Sequence, residues 1–185
     1  TSGTHTICAQ LLHVQSTGND IAESLPCIQF TTVAHLTIIK TVTNNNGGSA
    51  VESDWTISAT GLITIPRSSG STPVTNIEVN PGTYSLAESD GPSGYAPGDW
   101  NCVKNNVPET GDSITLVGGD VATCTINNDD IQPKLTLIKH VTNNNGGNLE
   151  ISDFPLFVGT ANVVSGVKNG FDAGSYTASE TSQNG

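Results

Sequence analysis

Residues 36–48 read LTIIKTVTNNNGG, and residues 135–147 read LTLIKHVTNNNGG. Lys40 of the first stretch and Lys139 of the second are 99 residues apart. Chance does not produce a match of this length, so the two stretches mark the start of a repeated domain. Each begins with an apolar run rich in β-branched residues and ends in Asn and Gly, which tolerate positive φ. The motif therefore predicts a strand followed by a turn.

The segment after the first motif has the pattern of a series of short strands. Apolar or alternating runs recur there roughly every 8–12 residues, with Gly, Asn and Pro between them, as is typical of a β-sandwich or barrel. Residues 67–72 are expected to form a Ser/Gly loop, and Gly118-Gly119 a hairpin turn. The predicted strands cover residues 36–42, 55–59, 61–66, 74–79, 83–88, 114–116 and 122–126.

Composition also favours strands, because Thr, Ser, Asn and Gly dominate and Met is absent. Only 12% of the residues are charged, and the net charge is -11. This acidity, without a basic patch, argues against nucleic-acid binding. No apolar run approaches the length of about 18 residues that a membrane span needs. Four cysteines in a Lys-poor chain predict an oxidising, extracellular setting.

The second copy follows the order of the first but lacks its final part. Residues 174–180, GSYTASE, match residues 82–88, GTYSLAE. In the first copy, two further strands follow, and they carry Cys102 and Cys124. These strands are expected to lie side by side, which predicts a disulfide that contributes about 3 kcal/mol.

Residues 1–34 resemble the missing part in spacing and order. Cys8 and Cys27 are 19 residues apart, against 22 for the pair Cys102 and Cys124, and we expect a second disulfide between them. An unrelated N-terminal extension that is held by its own disulfide is the alternative. The chain is thus predicted to consist of an N-terminal partial domain, one complete domain and a second partial domain, at residues 1–34, 35–130 and 131–185.

Residues 84–95, YSLAESDGPSGY, resemble the pattern Y-x-L-x-E-x-x-x-P-x-G-Y of collagen-adhesin B-type, prealbumin-like domains in bacterial surface proteins and pilins. Residues 36–40 are similar to the first strand of these domains, and residues 125–127 to their last. The resemblance covers about residues 36–128 and part of residues 135–180. It implies an all-β, Ig-like or prealbumin-like sandwich repeat.

The resemblance also implies a covalent cross-link. In the family, a buried Lys and an Asn of the last strand can join as an isopeptide, with a Glu as proton shuttle. The residues that match are Lys40, Asn127 and Glu88. Burial lowers a Lys pKa towards that of a neutral nucleophile, and a protonated Glu polarises the amide. The alternative is that Lys40 and Glu88 are solvated and Asn127 begins a turn.

Lys139 and Glu180 are the matching residues of the second copy. Phe30 stands three residues after Cys27, the place that corresponds to an Asn in the first copy. We therefore expect no isopeptide between residues 1–34 of one molecule and the second copy of another.

The junction at Asn128, Asp129 and Asp130 is rich in oxygen ligands, which predicts a Ca²⁺ site there, with a solvated turn as the alternative. No other cofactor is expected, because His and Cys lack zinc-ligand spacing. G-x-S-x-G and H-E-x-x-H are absent, and no carboxylate pair stands out, so the sequence predicts no enzyme.

These observations predict an extracellular, cell-surface structural subunit. A half domain exposes an apolar face and unpaired strand edges. Residues 1–34 of one subunit would complete the domain begun by residues 131–185 of an identical neighbour, as in donor-strand complementation. Such a head-to-tail contact builds a pilus-like filament. The alternative is a stalk or adhesin repeat module of a longer surface protein.

Overall fold

The computed structural model describes residues 4–13, 21–24, 27–61, 64–69, 74–89 and 91–183. Their regular structure is almost entirely β-strand, with two short 3-10 turns at Glu52–Asp54 and Ile151–Asp153, so the predicted all-β class is confirmed. None of these residues belongs to a helix that is long and apolar enough to cross a membrane.

The strands of the first part of the chain are β1 (Thr4–Ile7), β2 (Gln10–His13), β3 (Ile21–Ser24), β4 (Ile28–Thr31), β5 (Ala34–Thr43), β6 (Thr56–Thr60), β7 (Thr64–Ser69), β8 (Val74–Val79) and β9 (Gly82–Glu88). The remaining strands are β10 (Tyr95–Pro97), β11 (Asn101–Lys104), β12 (Val107–Thr110), β13 (Ser113–Leu116), β14 (Val121–Asp130), β15 (Lys134–Thr136), β16 (Leu156–Val158), β17 (Ala161–Val163), β18 (Lys168–Gly170) and β19 (Ala178–Glu180).

The chain divides into two compact units. The second unit holds the TNNNGG loop of the first repeat and a short segment with Tyr95, in addition to the second repeat. The first unit consists of Thr1–Val42, Val51–Pro92 and Pro97–Asn128, and the second of Thr43–Ala50, Ser93–Ala96 and Asp129–Gly185.

The first unit contains a sandwich of two antiparallel sheets. One sheet has the strand order β12-β11-β14-β5-β8, and the other has the order β13-β9-β6-β7. Residues alternate between core and surface along these strands, as half-buried sheets require. The predicted face of Trp55, Ile57 and Ala59 is buried. The other core residues include Leu36, Ile38, Val79, Tyr84, Leu86, Trp100, Ile114, Leu116, Ala122, Cys124 and Ile126.

A disulfide joins the middle of two neighbouring strands in the first sheet. Cys102 on β11 lies directly opposite Cys124 on β14, and their S–S distance is 2.05 Å. Both side chains are buried in the sandwich core. The bond fixes the register of the two strands, because neither can slide past the other while it is intact.

Two local predictions were wrong. Gly118-Gly119 is not a hairpin, since β13 pairs with β9 in one sheet while β14 lies in the other. Gly118 and Gly119 instead connect the two sheets. Ile114 and Leu116 on β13 face the core from the sheet that lies opposite the sheet of β14. The loop predicted from residue 67 begins later, because β7 extends to Ser69 and pairs with β6. Residues 70–72 of that prediction lie outside the described residues.

The second unit has smaller sheets and a smaller core. Strand β15 pairs with β18, and β17, β16 and β19 form a three-stranded sheet in that order. Its buried residues Leu156, Val158 and Val163 pack with the partly buried Leu137 and Phe171. Burial of each such side chain contributes about 1.5–3 kcal/mol, so this small set stabilises the unit far less than the core of the first unit does.

The N-terminal strands form two separate pairs. Strand β1 pairs with β4, and β2 pairs with β3, each antiparallel. Cys8 follows β1, and Cys27 precedes β4. A disulfide joins the two cysteines, with an S–S distance of 2.09 Å. This part of the chain is therefore a small disulfide-closed element.

Candidate functional site

A lysine side chain lies inside the first unit. Alternation along β5 turns Ala34, Leu36, Ile38 and Lys40 towards the core, and the side chain of Lys40 is 0% exposed. Transfer of an ammonium group out of water costs several kcal/mol unless the charge is compensated. The alternation along β5 therefore places Lys40 in the core, where its ammonium group is either paired with an opposite charge or deprotonated.

Glu88 and Trp55 flank the amine of Lys40. Its Nζ lies 3.2 Å from Glu88 Oε2 and 4.8 Å from the centroid of the Trp55 ring. Burial lowers the pKa of Lys40, and attraction to Glu88 and, more weakly, to Glu52 offsets this only in part. The environment thus shifts the amine towards its neutral, nucleophilic form.

Four residues of the first unit carry buried side-chain polar atoms without a hydrogen-bond partner. Among the described residues, these atoms are His35 Nδ1, Lys40 Nζ, Glu88 Oε2 and Asn128 Oδ1. The contact between Lys40 and Glu88 is close enough for an ion pair but does not have hydrogen-bond geometry. Each unpaired buried group costs about 1–3 kcal/mol, and such groups are rare outside sites of chemistry or strain.

The asparagine expected at this site, Asn127, has a different environment. It is only partly buried, and its Oδ1 accepts a hydrogen bond of 3.0 Å from Thr41 Oγ1. Asn128 is 2% exposed and has the inward orientation of Cys124 and Ile126, two and four residues earlier on β14. The parity of the strand, counted from Cys124, identifies Asn128 as the core-facing asparagine.

Lys40 and Asn128 face the core from neighbouring strands. Strands β5 and β14 are adjacent in the sheet, and Thr41 Oγ1 donates to Asn127 Oδ1 between them. Lys40 precedes Thr41 on β5, Asn128 follows Asn127 on β14, and both are buried. An amine and a side-chain amide on adjacent strands therefore point into the interior of the same sandwich.

The second repeat contains the same kind of site in a more exposed form. Lys139 Nζ lies 2.7 Å from Glu180 Oε2 and 4.2 Å from the centroid of the Phe154 ring. The two charged side chains are 18% and 42% exposed, against 0% and 12% for Lys40 and Glu88. The lysine, carboxylate and aromatic ring are therefore repeated, but the burial is not.

Asp130 holds the TNNNGG loop of the first repeat, a role that spacing along the sequence does not reveal. Its carboxylate accepts hydrogen bonds from the backbone N–H groups of Asn45, Asn46 and Gly48 at 2.8, 2.9 and 2.6 Å. Burial alone would raise the pKa of Asp130, but these N–H donors outweigh it and hold the pKa below its usual range. The loop is thus a cradle of backbone donors filled by one carboxylate.

The predicted calcium ligands differ in their surroundings. Asn128 and Asp130 are buried, and Asp129 is exposed, as alternation along β14 requires. The carboxylate of Asp130 is already surrounded by N–H donors, which do not bind a cation. Among the described residues, no group of three or more His, Cys, Asp or Glu side chains could hold a metal ion. The calcium site stays a prediction.

The sequence matches the model of one protein family over most of its length. The model of the prealbumin-like fold domain covers residues 31–126 and 130–185 of the sequence. The chain belongs to this family. The match confirms the resemblance seen in the sequence, and its two segments coincide with the two repeats. The sequence matches none of the curated proteins.

Solved structures with a similar fold are distant in sequence. Two major pilins of Streptococcus pyogenes are 12% identical, with TM-scores of 0.38; the alignments cover 70% and 71% of this chain and 63% and 66% of the pilins. The Bacillus anthracis TIE protein is 14% identical, with a TM-score of 0.42, and the alignment covers 96% of this chain and 34% of that protein. The chain spans less than two thirds of the length of each.

Proposed function

We propose that this protein is an extracellular structural subunit of a pilus-like filament. Residues 1–34 of one subunit complete the sandwich begun by residues 131–185 of the next, and the contact repeats head to tail. Subunits joined in this way present different surfaces to one another, so the assembly continues as a fibre. The partners of the chain are then identical copies of itself.

The open apolar face of the second unit carries this proposal. A groove of about 800 Å³ runs along it. Val164, beside the groove, is 65% exposed, and Ile138 is 66% exposed. Exposed apolar patches on small domains mark surfaces that a partner covers. The groove is lined by apolar residues that include Val141, Leu149, Phe154, Leu156, Val163 and Val164.

The sheets of the second unit also present edges. Strands β17 and β19 lie at the two ends of a three-stranded sheet, and among the described residues no further strand pairs with either. Unpaired edges accept added strands through their free backbone groups. The pair β1 and β4 is a suitable donor, because it is a preformed antiparallel element closed by the disulfide of Cys8 and Cys27.

The composition and the disulfides support a location outside the cell. Both disulfides require an oxidising compartment. The net charge of -11 and the scarcity of lysine suit a soluble surface component and give no attraction to nucleic acid. A structural role fits a site whose polar groups are enclosed in a core and have no access to a substrate.

The buried site of the first unit serves the strength of the subunit in this proposal. The neutral Lys40 Nζ attacks Cγ of Asn128, so that an Nζ–Cγ bond forms and the Cγ–Nδ2 bond breaks. Glu88 relays one proton from Nζ to Nδ2 and ends unchanged, and ammonia leaves. The product is an amide that ties β5 to β14. The basic amine of Lys40 becomes a neutral amide N–H, and the oxygen of Asn128 becomes the amide carbonyl oxygen.

Electron microscopy of the purified protein tests the filament. The wild-type chain and a Val107→Asp variant should form uniform fibres, whereas Val164→Asp should not, because it places a charge in the groove. Val107 is 59% exposed on the first unit and Val164 is 65% exposed on the second, so neither change disturbs a core. Single particles from the wild-type chain at every concentration would contradict the proposal.

A stalk or adhesin repeat module within a longer surface protein is the second candidate function. One observation favours it. Thr31 and Val33 stand four and six residues after Cys27, whereas the inward Asn128 and Asp130 stand at these distances after Cys124. A covalently continuous repeat would supply both side chains. Intact mass and terminal sequencing of the native polypeptide distinguish a single subunit from such an array.

A further inference from the structure

The loop of the second repeat has the conformation of the filled cradle in the first. Gly47 has φ +82° and Gly146, its counterpart, has φ +84°. Asn44 Nδ2 donates to the carbonyl of Ala50 at 3.0 Å, and Asn143 Nδ2 makes the equivalent bond to Leu149 at 2.9 Å. The second loop is therefore already folded around the positions that a carboxylate would occupy.

The glycine beside the carboxylate shows the difference between the two loops. A methyl group on Gly48 would lie 2.8 Å from Asp130 Oδ2 and would also collide with the hydroxyl of Tyr95. A methyl group on Gly147 would meet, among the described residues, only the side chain of Asn143, at 3.0 Å. The first loop needs its glycine because Asp130 fills the cradle, whereas in the second loop the atom nearest to the added methyl group belongs to Asn143 of the loop itself.

The exposure of the loop residues also differs between the two copies. Asn46 and Gly48 are partly buried, whereas their counterparts Asn145 and Gly147 are exposed. The seven residues VTNNNGG are identical in the two copies, although the residues after them differ. Identity at these positions is explained by one requirement, a cradle of N–H donors of the same shape.

We infer that the loop at residues 143–147 binds an aspartate carboxylate on the strand that closes the second unit. That strand ends in the order Asn-x-Asp, as β14 does with Asn128 and Asp130. The backbone N–H groups of Asn144, Asn145 and Gly147 receive the carboxylate, and the side chain of Asn145 holds the strand backbone, as Asn46 Nδ2 holds the carbonyl of Asp130 at 2.8 Å. The partner is thus an acidic β-strand end, selected by N–H donors in a chain whose net charge of -11 repels acidic segments elsewhere.

This inference rests on the open face of the proposed function but favours a covalent neighbour as the source of the strand. Residues 1–34 of an identical subunit carry Val33 at the place of Asp130, whereas a covalently continuous repeat would supply the aspartate. The filament test can therefore fail while the cradle still binds its carboxylate. Filaments can also form while the cradle binds no carboxylate, so the two failures are distinguishable.

Peptide binding to the full chain, freshly isolated as single subunits, tests the inference. The probe is a synthetic peptide of residues 121–132 with Cys124→Ser and Asn128→Ala, which leaves only reversible contacts. Binding is followed by the backbone amide signals of Asn144, Asn145 and Gly147. We expect these three signals to shift on titration. A peptide that also carries Asp130→Asn should bind at least about tenfold more weakly, because charge-assisted hydrogen bonds are lost.

A Gly147→Ala chain is the matched control. Its added methyl group requires the side chain of Asn143 to move by a few tenths of an ångström in the free chain. By comparison with Gly48 and Asp130, the methyl group also lies where the carboxylate oxygen must sit. The variant should fold like the wild type and lose the peptide. Equal binding of the peptides with and without the Asp130→Asn change, shifts confined to other amides, or no binding of the acidic peptide would each overturn the inference.

Discussion

The two lysine sites of the molecule share their residue types and differ in their burial. Lys40, Glu88 and Trp55 lie in a closed sandwich, where the lysine side chain is 0% exposed. Lys139 and Glu180 lie in the second unit and are 18% and 42% exposed. Among the described residues, only the first site has a core-facing asparagine on a neighbouring strand. The comparison shows that the same three residue types differ in burial with the strands that surround them.

The electrostatic environments of the two lysines also differ. Desolvation lowers the pKa of Lys40, the change that makes its amine a nucleophile. In the second unit, Lys139 and Glu180 form a partly exposed ion pair, and pairs of this kind contribute about 0–1 kcal/mol. A closing strand would convert the second site into an environment like that of the first.

The largest expected effect comes from Asn128→Ala. The wild-type intact mass should lie one ammonia below the mass of the sequence with both disulfides formed, and the variant should show no such loss. Stability should fall by about 4–5 kcal/mol, as for other cross-links that close long loops. Intact-mass spectrometry and chemical denaturation measure both changes.

Asn127→Ala and Lys139→Met are the controls for that experiment. Both should retain the ammonia loss, because Asn127 is bonded to Thr41 outside the core and Lys139 lies in the second unit. An unmodified mass of the wild-type chain would show that Lys40 and Asn128 remain separate groups.

Removal of the core disulfide should have the next largest effect. The double variant Cys102→Ala, Cys124→Ala is expected to lose about 3 kcal/mol, since the bond closes a loop of 22 residues. The double variant Cys8→Ala, Cys27→Ala should leave the main unfolding transition nearly unchanged, because these cysteines are exposed and lie outside the sandwich sheets. Tryptophan fluorescence follows that transition. Equal losses from the two pairs would contradict this division.

Alanine substitution of the two corresponding loop glycines should have a smaller and unequal effect. Gly48→Ala is expected to cost about 1–3 kcal/mol, because the new methyl group collides with Asp130 and Tyr95. Gly147→Ala should cost less, because only the side chain of Asn143, 3.0 Å from the new methyl group, has to move. Thermal denaturation of the two variants under one set of conditions gives the comparison, and a larger loss at Gly147 would break it.

The smallest expected effect is a local dependence on pH. The depressed pKa of Asp130 means that its contribution is fully present above the ordinary Asp pKa of about 3.9 and is lost as pH falls through the lower, folded value. The amide signals of Asn45, Asn46 and Gly48 should shift in that acidic window. The amides of Asn144 and Gly147 should not shift there, and an Asp130→Asn chain should lack the transition in both loops.

Much of the first unit could be predicted from the sequence. The repeated motif set the phase of the strands, and alternation identified Leu36, Ile38 and Ile57 as core residues, since side-chain direction has a strict period of two along a strand. Pairing of Cys102 with Cys124 followed from the expectation that their strands lie side by side. The same reasoning led from Gly118-Gly119 to a hairpin that does not exist, because a turn signal does not specify whether the next strand stays in its sheet.

The candidate site was less accessible to sequence reasoning. The isopeptide prediction named Asn127, whereas Asn128 is the asparagine that faces the core, because a displacement of one residue reverses the face of a strand. Cys124 and Ile126 are buried and have the same parity as Asn128. The isopeptide itself stays a prediction. The link between Asp130 and the loop of Asn45 and Asn46 was missed for another reason. It joins residues more than eighty positions apart, and no local spacing records a contact of that kind.

The position of the core disulfide limits how far the chain can be stretched. Cys102 and Cys124 are directly opposed on adjacent strands and 22 residues apart in sequence. When tension is applied to the two ends of the chain, the segment between them cannot unravel, and at about 3.4 Å per residue roughly 75 Å of extension stays hidden. A thiol reductant would release that length in an Asn128→Ala chain, whereas the proposed bond between Lys40 and Asn128 encloses both cysteines and keeps the segment out of the line of tension. The redox state of the surroundings therefore sets the maximum length of the chain only where that bond is absent.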